Sequence, residues 1–256
     1  MSDGDLPPGP RPIDRSQQLF VYLCGVFVAC LLLGDIIGGK TIPTPLGPIS
    51  VGIIPFPVTF LLTDVVNDFY GRRGARFLTF LGFWMAALAW VILQLSSWLP
   101  VDESTYFTQG EFQKIFGGSA QLFVASMLAY MVSQLLDIHV FQYWKALTES
   151  RHLWLRATGS TVVSQVVDTV TINVIFWTWT AVGSPSSFLG RMGARERWEW
   201  IFQKVLREYG IKVVVAIALT PVVYAVHGAI VRRMGLEPTP PERRVTLADG
   251  SPESPL

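Results

Sequence analysis

Apolar residues occur in long blocks separated by short polar segments, and these blocks predict the architecture. Near-uninterrupted apolar runs occupy residues 19–33, 49–62, 77–99, 122–136, 162–182 and 213–226. A bilayer core about 30 Å thick needs about 20 helical residues to cross it. The third and fifth runs are long enough alone, and the others reach that length by including one or two polar residues. The pattern predicts an all-α integral membrane protein with about six transmembrane helices.

The composition is typical of a membrane protein and gives no indication of a nucleic-acid partner. Half of the residues are apolar, 15% are charged and the mean hydropathy is +0.41, whereas soluble domains carry about 25% charged residues. The net charge of +1 gives no reason to expect a nucleic acid, so lipid is the expected surrounding. Cys24 and Cys30 would be separated by about 9 Å along one helix, which is too far for a disulfide.

The six runs leave no room for a second domain. We expect one transmembrane domain over residues 19–231, preceded by a disordered Pro-rich tail (1–18) and followed by a disordered tail (232–256). The first run could also be the core of a signal peptide, because Arg11 and Arg15 precede it. Against this, no small-residue cleavage site follows the run.

The positions of Lys and Arg predict the orientation in the membrane. Basic residues follow the second, fourth and sixth runs, namely Arg72, Arg73, Arg76, Lys145, Arg151, Arg156, Arg232 and Arg233. The positive-inside rule therefore places both termini in the cytoplasm. Segment 184–210 disagrees, because it is basic but falls on the outer side. Its stretch 197–206 mixes aromatic and charged residues, as an interfacial helix does.

Polar residues recur inside three of the predicted spans. Asp64, Asn67 and Asp68 lie at i, i+3 and i+4 of the second span and share one helix face. The pattern Ser-Gln-x-x-Asp occurs at 133–137 in the fourth span and again at 164–168 in the fifth. Ionisable groups at membrane depth cost about 2.5–3.5 kcal/mol each on insertion scales, so they are rare and usually functional.

Two interpretations of these residues are open. They could form hydrogen bonds between helices, which are common in membranes and worth about 0.6 kcal/mol each. They could instead form a ligand site, because Asp64, Asp68, Asp137 and Asp168 have few predicted basic partners and a ligand rich in N–H groups would satisfy them. Lys40, at the mouth of the first span, could belong to the site or extend to the interface. The prolines between residues 43 and 57 predict a broken start to the second span, beside a cavity or inside the protein.

Several motifs resemble those of one transporter family. They are GK at 39–40, PVTFLLTDVVNDFYG at 57–71, LDIH at 136–139, WLR at 154–156, GSTVVSQVVDT at 159–169 and YGIK at 209–212. With these motifs, residues 19–231 resemble the queuosine precursor transporter family, also called the vitamin uptake transporter family. The tails and the basic segment around residues 191–197 have no counterpart in this resemblance.

The resemblance implies a bacterial inner-membrane importer of 7-deazaguanines such as 7-cyano-7-deazaguanine, without a cofactor, a metal or catalytic residues. It implies a fold similar to the substrate-binding subunits of energy-coupling-factor transporters. A purine-like base offers N–H donors to carboxylates and a carbonyl to an amide or lysine. The expected substrate-binding residues are Lys40, Asp64, Asn67, Gln134, Asp137, Gln165 and Asp168. Phe56, Phe60, Tyr130 and Trp177 are candidate stacking faces.

Two other functions were weighed against the importer. The chain could be a binding subunit that docks on a separate energising complex through small residues such as Gly25 and Ala29 or Gly34 and Gly38. An intramembrane enzyme is disfavoured, because the three histidines (His139, His152 and His227) lack the H-E-x-x-H arrangement. Assembly into a homo-oligomer is also possible.

Overall fold

A computed structural model describes residues 14–38, 40–44, 49–102, 104–116, 120–149, 152–183 and 188–240. Predicted tail residues 1–13 and 241–256 lie outside these ranges, as do Gly39, Pro45, Gly47, Pro48 and Arg151. Within the described ranges, six helices are long and apolar enough to cross a membrane. This confirms the predicted all-α, multi-pass membrane architecture.

The long helices occur in the same order along the chain as the apolar runs. The helices and strands are α1 (Arg15–Ile37), β1 (Thr41–Ile42), β2 (Ile49–Ser50), a 3-10 turn (Val51–Ile53), α2 (Phe56–Phe69), α3 (Gly71–Trp98), α4 (Gln109–Phe116), α5 (Ala120–Leu147), α6 (Leu153–Gly183), α7 (Phe188–Arg191) and α8 (Ala194–Met234). The spanning helices are α1, α2 with its preceding 3-10 turn, α3, α5, α6 and α8.

The start of the second span is irregular, as its prolines predict. Strands β1 and β2 pair antiparallel, with Thr41 opposite Ser50. The 3-10 turn that follows packs closely on α1, since a Cβ added at Gly52 would lie 3.2 Å from the Gly34 carbonyl oxygen. Helix α2 begins only at Phe56 and has 14 residues, so it is about 21 Å long. The helix is therefore shorter than the bilayer core, and the candidate span begins at Val51, in the preceding 3-10 turn.

Helix α3 begins earlier than its apolar run predicts. Tyr70 alone separates it from α2, and Gly71 adopts a positive φ of 68°, a conformation that favours glycine. Arg72, Arg73 and Arg76 were expected in a loop but lie in the first turns of α3. The reversal at a single glycine leaves no residues for a loop, so the helix itself carries this basic cluster.

Helix α8 corrects the expectation of a separate interfacial helix in segment 184–210. Its 41 residues run without interruption from Ala194 to Met234, a length of about 61 Å. The stretch 197–206 is therefore continuous with the helix that carries the sixth apolar run. Helix-forming residues such as Glu, Lys, Arg and Leu continue through this stretch, so no sequence signal ends the helix before the apolar run.

Both ends of the described chain meet at one end of the helix bundle. The Tyr70 hydroxyl donates to the Ser16 carbonyl at 2.7 Å, which joins the end of α2 to the start of α1. The Thr239 N–H donates to the Asp68 carbonyl at 2.9 Å, which joins the segment after α8 to the end of α2. We call this the terminal end of the bundle, as expected for an even number of spans.

The helix boundaries differ from the predicted limits of 19 and 231. Helix α1 includes residues 15–18, and α8 continues to Met234. Residues 235–240 then fold back, and Leu236 packs against buried residues of the bundle. The helix ends consist of polar residues, so hydropathy alone does not locate these boundaries.

The larger cluster of the bundle core is formed by residues from five of the spanning helices. It includes Phe27 of α1, Val66 of α2, Leu78 of α3, Ile138 of α5 and Ile230 of α8. Large apolar residues such as Trp84, Leu88 and Ile92 lie exposed on α3, where a lipid-facing surface is expected.

Candidate functional site

A cleft opens between the 3-10 turn, α2, α6 and α8. Its lining residues are Ile53, Phe56, Pro57, Phe60, Leu61, Asp64, Ala157, Thr158, Thr161, Gln165, Lys212, Val215, Ala216, Leu219 and Val223. Small-molecule sites are mostly apolar, with a few placed polar groups. The cleft has this character, because most of its lining residues are apolar and Asp64, Gln165 and Lys212 are the exceptions that carry strong polar groups.

Gln165 is the clearest ligand-binding candidate in the cleft. It is 1% exposed, and neither its Nε2 nor its Oε1 has a hydrogen-bond partner in the part of the chain that the structure describes. A buried polar group without a partner costs about 1–3 kcal/mol. A ligand that both donates to and accepts from the amide would remove this penalty.

Asp64 presents an unsatisfied carboxylate oxygen to the same cleft. The residue is 4% exposed, and its buried Oδ1 lacks a hydrogen-bond donor among the described residues. Asp137, Asp68 and Arg156 interact with it electrostatically. Asp64 on α2 therefore offers an acceptor to a ligand that Gln165 on α6 also reaches.

Lys212 is the cation of the cleft, and Asp168 holds it. Its Nζ lies 2.8 Å from Asp168 Oδ2 and 4.5 Å from the centre of the Phe56 ring. Ser133 donates to the other oxygen of Asp168 at 3.2 Å. Asp168 was expected to lack a basic partner and to bind substrate directly. The first expectation is wrong, and the structure places Asp168 beside Lys212 rather than among the lining residues.

Asp68 is also paired, contrary to the expectation from the sequence. Lys145 Nζ lies 2.8 Å from its Oδ1, and Arg156 donates to its Oδ2 at 2.9 Å. Lys145 and Arg156 lie 77 and 88 residues from Asp68 in the sequence, so their approach depends on the packing of α5 and α6 against α2. The sequence alone does not show this.

Asp137 and Gln134 lie on α5, behind the cleft. Both are buried, and the Ser164 hydroxyl donates to Asp137 Oδ1 at 2.9 Å. Over the described ranges, Asp137 Oδ2 and Gln134 Oε1 have no hydrogen-bond partner. Ser164 is adjacent to Gln165, so Asp137 contacts the helix turn that carries the cleft amide.

Asn67 and Lys40 are not brought to the cleft. Asn67 accepts from Gln142 and donates to the Ile138 carbonyl at 3.4 Å, which ties α2 to α5. Lys40 is exposed beside the hairpin, where its backbone carbonyl accepts from Val51 at 2.8 Å. Asn67 therefore has a position suited to helix packing, and Lys40 lies at the surface.

Two of the four candidate stacking residues line the cleft. The rings of Phe56 and Phe60 lie 4.7 Å apart, and both face the same space. Tyr130 instead donates to the Thr79 carbonyl, and Trp177 donates to Asn173. The start of α2 thus supplies the aromatic wall.

Lys212 is the residue that the sequence-based selection missed. A lysine at the edge of the sixth apolar run was itself a signal, since ionisable residues inside spans usually mark a functional path. Among the residues searched, no group of three His, Cys, Asp or Glu side chains could hold a metal ion.

Known proteins match this chain over most of its length. Residues 50–226 match the family model described as "Putative vitamin uptake transporter". The "Probable queuosine precursor transporter" of Bacillus subtilis strain 168 is 34% identical over 178 residues, covering 69% of this chain and 70% of that protein. The "Queuosine precursor transporter" of Escherichia coli K12 is 33% identical over 183 residues, covering 68% and 71%.

The family match covers α2 and the cleft residues on α6 and α8. No solved structure matches the chain significantly. The relatives are named as transporters rather than enzymes, in agreement with the expectation from the sequence. The chain therefore belongs to the queuosine precursor transporter family, the vitamin uptake transporters.

Proposed function

We propose that this protein imports 7-deazaguanine precursors of queuosine, such as 7-cyano-7-deazaguanine, across the bacterial inner membrane. The base binds in the cleft between α2, α6 and α8. The names of the two relatives support the substrate class. The cleft supports it independently, because its unsatisfied groups match the edge of a guanine-like base.

The observation that carries the proposal is the free amide of Gln165. A primary amide offers an acceptor and a donor side by side. The edge of a guanine-like base presents a ring N–H beside a carbonyl, which is the complementary pair. Asp64 Oδ1, unsatisfied across the cleft, then accepts from the exocyclic amine.

Apolar contact and a cation complete the proposed site. Phe56 and Phe60 provide a wall for the flat face of the bicycle. Lys212 can donate to a carbonyl or nitrile acceptor, while Asp168 keeps its ammonium group in position. Asp137 and Gln134 support the site from α5, and Asn67 keeps α2 against α5. Lys40 takes part only if the hairpin moves.

The terminal end of the bundle faces the cytoplasm in this proposal. Arg72, Arg73 and Arg76 begin α3 at that end, and Arg232 and Arg233 end α8 there. Basic residues flanking spans accumulate on the cytoplasmic side. The cleft then begins near the outer membrane leaflet, where α2 starts at Phe56.

Complementation tests the transport activity. The host is a bacterium lacking both its own precursor transporter and the synthesis of 7-cyano-7-deazaguanine. Expression of this chain should restore queuosine in the host's tRNA when the base is supplied at low concentration. A host that makes the protein in its membrane but gains no queuosine would refute the proposed import.

The alternative is that the chain is a binding subunit that docks on an energising complex. Fewer observations support this alternative. Gly34 and Gly38 are used within the chain, since Gly34 contacts Pro55 and the hairpin region packs against both glycines. Gly25 and Ala29 remain exposed and could receive another helix. Co-purification with ATPase subunits would favour this alternative.

A further inference from the structure

A buried ionic network lies at the terminal end, outside the proposed binding cleft. Asp68 at the end of α2 contacts three basic residues from three other helices. Lys145 of α5 and Arg156 of α6 approach its carboxylate at 2.8 and 2.9 Å, and His227 of α8 approaches at 3.2 Å. The Asp68 side chain is only 2% exposed. One carboxylate therefore holds four helices together.

The segment that follows α8 closes over the same residue. Thr239 donates both its N–H and its hydroxyl to the Asp68 carbonyl at 2.9 Å. Lys145 Nζ donates to that carbonyl at 3.0 Å and lies 3.2 Å from the Thr239 hydroxyl. Residues 235–240 thus add a fifth element to the Asp68 network.

The network lies on the line from the cleft to the terminal end. A second, smaller cavity is lined by Asp64, Val65, Asp68, Leu153, Val223 and His227. Asp64 and Val223 also line the cleft, so the two spaces adjoin. Asp68 follows Asp64 by one helical turn, about 6 Å nearer the terminal end.

We propose that the Asp68 network, with the segment 235–240, is the gate that closes the transport path at the terminal end. The proposal rests on the proposed transport function. A solute leaving the cleft in this direction must pass the smaller cavity and separate Asp68 from its partners. Buried ion pairs lose much of their attraction to desolvation, so such a contact can hold a closed state and still release.

Cysteine accessibility tests the gate directly. Val223 lines both cavities, so Val223→Cys is placed in a chain with Cys24→Ala and Cys30→Ala. A membrane-impermeant maleimide is added to vesicles in which the terminal end faces outward. We expect slow labelling with the network intact and labelling about fivefold faster or more with Asp68→Asn, because loss of the charge shifts the closed state toward an open one.

A pair of truncations provides a second test if Asp68→Asn fails to fold. A chain ending at Gly235 lacks Thr239 and should also label faster from the terminal end. A chain ending at Pro240 keeps the contacts of Thr239 and should label like the full chain. Labelling at equal rates in the full chain and in the chains ending at Gly235 and Pro240 would overturn the role of the segment.

Affinity separates the gate from the binding site. Calorimetry with 7-cyano-7-deazaguanine, on chains without the reporter cysteine, should give the same affinity for wild type and Asp68→Asn. If no chain binds the base, the proposed substrate is refuted. The labelling rates still test the gate in that case. If folded Asp68→Asn labels at the wild-type rate, the gate is refuted whatever the affinity.

Discussion

At the scale of residues, the polar groups of the spans divide into satisfied and unsatisfied sets. Asp68, Asp168 and Asn67 have partners from other helices. Gln165 and Asp64 line the cleft with atoms that no described residue satisfies. Satisfied groups define how the helices pack. Unsatisfied groups reduce stability, and a ligand is the simplest reason for their presence.

The pairing of Lys212 with Asp168 leads to a prediction about stability. Lys212→Met leaves the Asp168 carboxylate, 13% exposed, without its cation, and the protein should lose stability. Asp168→Asn in the same chain should recover much of the loss, because no uncompensated charge remains. A double-mutant cycle by reversible unfolding should give a coupling free energy of about 1–3 kcal/mol. Additive effects of the two substitutions would contradict the pairing.

The sequence identified the polar residues of the cleft more successfully than it identified their contact partners. Asp64 and Gln165 were selected by type and depth, and both line the cleft. Asp168 was selected for the same reasons, but its partner is 44 residues away on α8. Helical spacing relates residues of one helix, whereas contacts between helices depend on rotation and tilt. Lys212 was missed because its pairing is such a contact.

At the scale of elements, close approach of α1, α3 and α5 depends on Gly82. A Cβ at this position would lie 2.6 Å from the Tyr130 hydroxyl and 2.7 Å from Phe27 Cε1. Gly82→Ala should therefore force these helices apart and lower the free energy of unfolding by about 1–3 kcal/mol. Thermal denaturation in detergent measures the effect.

Gly228→Ala is the matched control for this prediction. A Cβ at Gly228 in α8 would meet no atom within 4 Å. The alanine should be neutral or should stabilise by up to about 1 kcal/mol, because glycine loses more backbone entropy in a helix. Equal effects at the two positions would show that the approach at Gly82 is looser than described.

The sequence predicted the existence of the spanning helices better than their ends. Five of the six apolar runs lie almost entirely within helices, and the run at 49–62 enters α2 after a strand and a 3-10 turn. Lipid demands apolar faces, so hydropathy detects the spans. The ends of α3 and α8 were misplaced by up to about 20 residues, because both helices continue in polar residues outside the apolar runs. Helix propensity, rather than hydropathy, governs those extensions.

At the scale of the whole molecule, the described chain begins and ends at the terminal end of the bundle. Reporter fusions after Glu149, in the turn between α5 and α6, and after Pro240 should read the same side of the membrane. The positive-inside rule predicts the cytoplasm for both. A fusion after Thr108, between α3 and α4, should read the opposite side. Fusions after Glu149 and Thr108 that report the same side would contradict the topology.

The central claim is that the cleft amide binds the base, and calorimetry on purified protein tests it most directly. Titration of 7-cyano-7-deazaguanine compares wild type with Gln165→Leu and Gln142→Leu. Gln142 is an amide outside the cleft, bonded to Asn67. Gln165→Leu removes a group that no described residue satisfies, so affinity should fall about tenfold or more while thermal stability stays the same or rises.

Gln142→Leu should show the opposite pattern. It leaves Asn67 Oδ1 without its donor, so stability should fall by about 1–3 kcal/mol while the affinity of the folded protein is kept. This contrast between the two amides is the result that the proposed site predicts. Equal affinity of wild type and Gln165→Leu for the base would contradict it.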